Sequence, residues 1–222
     1  MPRKTKTAPR RRMKTKKYGA RKPKRMVNVN RALAPFAQRY ITKQKWSGVF
    51  TTSASSPIYR YRLNSLWDPD IIATTPSQPY AYDQLAILYN RYRVIACSYS
   101  INFYNASNVT RCVVVPANQT TFPNGVSDAV TNPRAQWKVQ IPGGSTQTIR
   151  GKVYMPSIVG RNKAQYMADD RFQAQVDASP AETVDLNIFT ADLADNGVGV
   201  TATVTLEFLV EFFDVKTLPA SS

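Results

Sequence analysis

The sequence predicts an all-β body, a sandwich or jelly roll, carried behind a basic N-terminal arm. Three observations lead there. The first 45 residues hold 17 Lys and Arg and no Asp or Glu, and the first acidic residue is Asp68. After Trp46, apolar and polar residues alternate with period two along several segments, the pattern of half-buried strands. Helical spacing occurs once. From Trp46 to the end, 13 basic side chains meet 14 acidic ones, so the net +16 is an arm of +17 joined to a body of −1. Charge this polarised fits a polyphosphate-binding arm on a body with some other task.

The arm comes first in the chain. Like charges at this density repel, and few apolar residues offset the ordering entropy, so residues 1–31 are expected to be disordered. The candidate nucleic-acid ligands are Arg3, Lys4, Lys6, Arg10, Arg11, Arg12, Lys14, Lys16, Lys17, Arg21, Lys22, Lys24, Arg25 and Arg31. Each neutralised phosphate contributes roughly 0.7 to 0.9 to the slope of log affinity against log salt. Nothing in the arm reads bases in a fixed geometry, so binding is expected to tolerate any sequence. The subset Arg10, Arg11, Arg12, Lys14, Lys16, Lys17, Arg21, Lys22, Lys24 and Arg25 also matches nuclear-import signals. Residues 32–45 are transitional, with Leu33, Phe36, Tyr40 and Ile41 against the body and Arg39, Lys43 and Lys45 extending the charge. The arm is therefore drawn as 1–45 and the body as 46–222.

In the body, strands fit around Gly48 to Thr52 and Ile58 to Leu63, on either side of the Ser53–Pro57 break. Asp83 is expected to cap one short helix, with Leu85, Leu88 and Tyr89 at i, i+3 and i+4. Ile95, Cys97, Tyr99, Ile101 and Phe103 share one face of a long run, and Cys112 to Val115 follow an Asn/Ser-rich turn. Trp137, Val139 and Ile141 alternate with Lys138 and Gln140. Ile149, Val153 and Met155 alternate with Arg150, Lys152 and Tyr154. Val184, Leu186 and Ile188 alternate with Asp185 and Asn187. The clearest strand is the last: Val200, Ala202, Val204, Leu206, Phe208, Val210 and Phe212 on one face, Thr and Glu on the other, with Leu209 and Phe213 as exceptions. Turn chemistry at Asn132-Pro133, Pro142-Gly143-Gly144, Ser179-Pro180 and Asp195-Asn196-Gly197 separates these runs. About eight strands over the 177 residues from Trp46 point to a sandwich or jelly roll. An immunoglobulin-type domain is nearer 100 residues, and the spacing of Cys97 and Cys112 does not suit its inter-sheet bridge.

Several chemistries are excluded or discouraged. The chain has no His, which removes Ser-His and Cys-His nucleophile pairs, His-ligated zinc and imidazole bases. Asp68-Pro69-Asp70 reads as a turn rather than a carboxylate cluster with Asp83, and Asp169-Asp170 as a solvated loop or subunit contact. Gly143-Gly144 reads as a hairpin turn. No catalytic residue, metal ligand or cofactor is assigned, and no enzymatic activity is expected. Cys97 and Cys112 read as buried thiols, with a bridge between neighbouring strands left open. No apolar run reaches 18 residues, so no membrane insertion is expected. The charged N-terminus lacks the apolar core of a secretory signal, which makes the sequons at Asn105, Asn108 and Asn118 coincidental. Arg91-Tyr92-Arg93 with Tyr89, and Arg60 and Arg62 with Tyr59 and Tyr61, have two readings, base stacking or sheet packing.

Three segments carry a resemblance. Leu63-Asn64-Ser65-Leu66-Trp67-Asp68-Pro69-Asp70 is followed by Gln78-Pro79-Tyr80-Ala81-Tyr82-Asp83-Gln84 and then by Leu88-Tyr89-Asn90-Arg91-Tyr92-Arg93-Val94. In this order, behind a basic arm, they resemble capsid proteins of small circular Rep-encoding single-stranded DNA viruses, the circovirus-like group. Ala81 departs from the Gly such sequences often carry. The resemblance covers about a third of the chain. It implies a single viral jelly-roll β-sandwich of about eight antiparallel strands, self-assembly into a small icosahedral shell of about sixty copies, and an arm facing packaged single-stranded DNA. It also implies nuclear import through Arg10 to Arg25, host import receptors as partners, and residence in the virion and, during assembly, the host nucleus. A shell of that size brings on the order of a thousand positive charges inside, comparable to a genome of roughly one to a few thousand nucleotides. The competing readings are a cellular nucleic-acid-binding protein of ribosomal or chromatin type, a satellite-virus-like coat protein around RNA, and a jelly-roll hydrolase, which would need a constellation the sequence lacks.

Overall fold

A computed structural model describes residues 36–106, 108–118 and 125–217. Its strands are β1 (Arg39–Thr51), β2 (Ile58–Arg62), β3 (Tyr89–Ala106), β4 (Thr110–Asn118), β5 (Gln136–Gln140), β6 (Gln147–Tyr154), β7 (Ala174–Gln175), β8 (Val184–Ala191) and β9 (Val200–Val215). Short helices α1 (Tyr82–Leu88), α2 (Val126–Thr131), α3 (Met155–Ile158) and α4 (Lys163–Ala168) lie between them. One sheet, A, has the order β1-β9-β3-β6, with β7 also on β3; the other, B, has the order β2-β8-β4-β5. Every pairing is antiparallel.

The order has a simple origin. Leaving out the two-residue β7, the pairs β4·β5, β3·β6, β2·β8 and β1·β9 nest like rungs of one long hairpin, and successive rungs alternate between the sheets. A hairpin wrapped this way is a jelly roll. Burial follows the alternation in the sequence. Even-numbered residues of β9, from Val200 to Phe212, face the space between the sheets, where they meet Cys112 and Val114 of β4 and Val184, Leu186 and Ile188 of β8. Aromatic rings bridge the layers: Trp46 of β1 lies 5.5 Å from Tyr61 of β2, and Phe50 lies 4.9 Å from Tyr59.

Sheet B is covered on its second face too. Val113, Val115, Phe189 and Ala191 form a separate cluster with Val126 and Ala129 of α2. That explains the unbroken Cys112–Val115 run, since a strand buried on both faces needs no polar row. It also corrects β8, whose sequence reads as half-buried but whose eight residues are all buried, Asp185 and Asn187 included.

Other departures have local causes. β1 opens at Arg39, so Arg39–Lys45, assigned to the arm by sequence, form the first half of a strand. The structure places Ala81, in a left-handed conformation, at the N-cap of α1, and Asp83 falls in its first turn. Three further short helices accompany α1 where one was expected. A register shift between Val94 and Ala96 takes Ile95 out of its expected row and returns Cys97, Tyr99, Ile101 and Phe103 to the core. Met155 starts α3 instead of ending β6. In β5 the expected inner row is the outer one: Gln136, Lys138 and Gln140 pair with the inward-facing residues of β4, and Trp137 is exposed.

Candidate nucleic-acid interface

The fourteen arm candidates, Arg3 to Arg31, lie outside the described residues. Of the aromatic-basic candidates in the body, Tyr61 and Tyr92 are fully buried and Tyr89 and Arg93 nearly so. Tyr59 is half-buried, its ring stacked on Phe50 at 4.9 Å and its hydroxyl bonded to Asp70, so these rings are engaged in packing and the packing reading holds. Arg62 is bonded to Asp68 at 2.6 Å, and Arg93 donates to Gln173 at 3.0 Å and sits over the Phe213 ring.

The three motif segments come together as a structural joint. The Tyr92 hydroxyl donates to the Ala178 carbonyl at 2.9 Å and accepts from the Leu66 N–H at 3.3 Å. Asn64, fully buried, donates to the Glu182 carbonyl at 2.8 Å and accepts from the Val184 N–H at 2.9 Å. The Tyr82 hydroxyl donates to the Val176 carbonyl at 2.6 Å. These bonds tie the long loop after β2 to the segment that enters β8. The carboxylates are equally accounted for. Asp70 accepts from Tyr59 at 3.1 Å and from the Ile72 and Ala73 N–H groups, which is turn geometry; this contact and burial push the Tyr59 hydroxyl up to about 12, burial being the larger cause. Asp169 is held by Arg171 and Arg161 within the chain. Among the described residues no group of three His, Cys, Asp or Glu is placed to hold a metal, and no helix is long and apolar enough to cross a membrane. Cys97 and Cys112 are free and buried, one in each sheet, and burial pushes the Cys112 thiol up to about 12 and the Cys97 thiol higher still.

One broad face differs from the rest. Among the described residues nothing gives the outer surface of sheet A the apolar cover that α2 gives sheet B, and its register can be read across four strands. Lys45 pairs with Glu207, Glu207 with Ser98, and Ser98 with Lys152. The next row is Ser47, Thr205, Ser100 and Arg150, and the row on the other side runs Lys43, Leu209, Ala96 and Tyr154. Lys43, Lys45, Arg150 and Lys152 are all exposed. Glu207 is the exposed anion among them, and Lys43, 2.8 Å away, holds its carboxyl below the usual range, with Lys45 and Lys152 adding to the effect. Between the flanking cations lies a shallow depression of about 330 Å³ floored by Ser98, Ser100, Gly151 and Thr205. Sequence reading noted Lys43 and Lys45 only as extensions of the arm and missed Arg150 and Lys152. The parity that turns all four outward was visible; the pairing that makes them neighbours was not.

No family model and no curated protein matches the chain. Solved structures do. A structure of Cocksfoot mottle virus matches with a TM-score of 0.50 at 6% identity, covering 79% of this chain and 94% of that one. The chain has the viral jelly-roll fold. The BFDV capsid protein as a 60-mer gives a TM-score of 0.44 at 9% identity over 84% of this chain and 100% of that one. Its decameric form gives 0.43 at 8% identity over 78% and 98%.

Proposed function

We propose that this chain is the coat protein of a small icosahedral virus. About sixty copies close a shell through the jelly-roll body, and the arm from Arg3 to Arg31 neutralises packaged single-stranded DNA without reading its sequence. The observation that carries this is the pairing of two parts in one chain: a two-sheet wrapped hairpin of viral jelly-roll order, and a preceding segment with fourteen Lys and Arg up to Arg31 and no acidic residue. Identical subunits pack edge to edge most readily when the body is nearly neutral, while the arm supplies charge without constraining that packing. DNA is preferred over RNA on the resemblance of the 63–94 segments. The clusters from Arg10 to Arg25 serve import through host receptors, and the protein resides in the virion and, before assembly, the host nucleus. No catalytic step is assigned to it.

Expression of the full chain, followed by size-exclusion chromatography and electron microscopy, tests this directly. Closed shells enclosing DNase-sensitive nucleic acid are the expected result. Monomers or dimers alone at every salt concentration, with DNA present, would sink the reading, and RNase-sensitive contents would transfer it to an RNA virus. A fluorescent fusion of the full chain should enter nuclei, and replacing the cations between Arg10 and Arg25 by Gln should leave it in the cytoplasm.

A further inference from the structure

We propose that the bare face of sheet A is a second phosphate-binding surface, on which Lys43, Lys45, Arg150 and Lys152 hold the backbone of the single-stranded nucleic acid that the arm recruits. The inference rests on the packaging reading above and deepens it by assigning part of the binding to the folded body.

Four observations converge. First, the face is selective in charge: across the three rows from Lys43 to Arg150 it presents four exposed cations and one exposed anion, Glu207. Lys43 is paired with Glu207 at 2.8 Å, whereas among the described residues Lys45, Arg150 and Lys152 form no ion pair and stand together on one face. Second, the cations flank a floor of hydroxyls, Ser47, Ser98, Ser100 and Thr205. Hydroxyl donors next to Lys and Arg are the usual set for phosphate oxygens. Arg150 is already turned toward that floor, its Nε 3.4 Å from the Ser100 hydroxyl. Third, exposed aromatic rings bracket the cationic rows. Tyr154 shares the Lys43 row, and Tyr104 lies on the far side, its hydroxyl 2.8 Å from that of Thr203. A nucleic acid crossing the rows meets a ring at each end on which a base can stack. Fourth, β1, which carries Lys43 and Lys45, follows the arm in the sequence, so a nucleic-acid strand held by the arm is tethered to the body through this element.

Binding of a labelled oligothymidylate by the full chain, followed by anisotropy across a salt series, tests the assignment. The triple variant Lys45→Gln, Arg150→Gln, Lys152→Gln should lower the slope of log affinity against log salt by about 2, at roughly 0.7 per lost phosphate contact. A control neutralising Lys138, Lys163 and Lys216 in the same way should leave it unchanged. Glu207→Gln should act in the opposite direction, tightening binding and steepening the slope, which a misfolded variant would not do. An unchanged slope in the triple variant, or an equal loss in the control, overturns the proposal while leaving the coat-protein reading intact. Failure of the unaltered chain to bind the probe overturns both. Loss of heparin binding in the triple variant with oligothymidylate binding intact would reassign the face to a sulfated glycan and overturn it as well.

Discussion

At the scale of single residues, the loop from Arg161 to Glu182 shows how side chains replace regular structure. Its helix α4 begins with a reciprocal cap, in which Asn162 Oδ1 accepts from the Gln165 N–H at 2.8 Å and Gln165 Oε1 accepts from the Asn162 N–H at 3.1 Å. Asp169 then accepts from the Arg171 N–H and Nε at 3.1 and 3.0 Å, while Arg161 approaches at 3.3 Å and Arg171 reaches on to Glu182. The Arg171 side-chain bonds chiefly, with the backbone bond and the two guanidinium charges adding and partial burial opposing, hold the Asp169 carboxyl at about 2, below its ordinary 3.8. A depressed carboxylate stabilises the fold above its unfolded value and ceases to do so as pH falls through its folded value. Asp169→Asn should therefore lower the thermal midpoint at neutral pH, and the gap to the unaltered chain should close as pH falls from about 4 to about 2. A gap independent of pH would show that the carboxylate charge contributes nothing. Gly151 illustrates a different constraint, since a Cβ there would sit 2.3 Å from the Tyr99 hydroxyl oxygen. Nothing in the sequence marks that position as one where a ring lies against bare backbone.

At the scale of elements, legibility depended on whether one strand's own residues decide its environment. β9 was readable because its apolar row faces the core without a break and its Thr/Glu row faces away from it, half-buried or exposed except at buried Glu211. Its two exceptions are resolved by neighbours, Phe213 lying beneath the Arg93 guanidinium and Leu209 pairing with Lys43. β1 was half-read, because Lys43 and Lys45 look like arm charges until their alternation with Gln44 and Trp46 is continued through Phe50. β5 was read with the wrong face inward. It lies at the edge of sheet B, where the register with β4 decides which row faces the core, and a one-residue change reverses every side chain. The cationic face of sheet A was illegible for the same reason, since Lys45 and Lys152 are 107 residues apart in the chain and share a row only through β9 and β3. The two tryptophans test this account. Trp46, in the core between the sheets, should cost about 3–5 kcal/mol when replaced by Ala, whereas Trp137→Ala, at 53% exposure, should change stability by no more than about 0.5 kcal/mol. Chemical denaturation of both variants decides it, and a large loss at Trp137 would mean that β5 is turned the other way.

At the scale of the whole molecule, charge and fold divide the chain at nearly the same place. With Arg39, Lys43 and Lys45 belonging to β1, residues 1–34 keep fourteen Lys and Arg, and the rest of the chain carries +2. Among the described residues, the core that closes the sandwich runs from Trp46 to Phe212. Removing residues 1–34 should leave the thermal midpoint and the β-sheet circular dichroism unchanged, since every described member of both hydrophobic clusters is kept. Nucleic-acid binding should respond very differently. If most of the fourteen cations contact phosphate, the salt slope should fall by up to about 10, at roughly 0.7 per contact. What remains should be a slope of about 2 to 3, the share of Lys43, Lys45, Arg150 and Lys152 on sheet A. Titration of the shortened chain with oligothymidylate over a salt series measures that remainder. A slope of zero would confine binding to the arm, and a slope equal to that of the full chain would place it entirely on the body, so the value between them fixes how the genome's charge is shared.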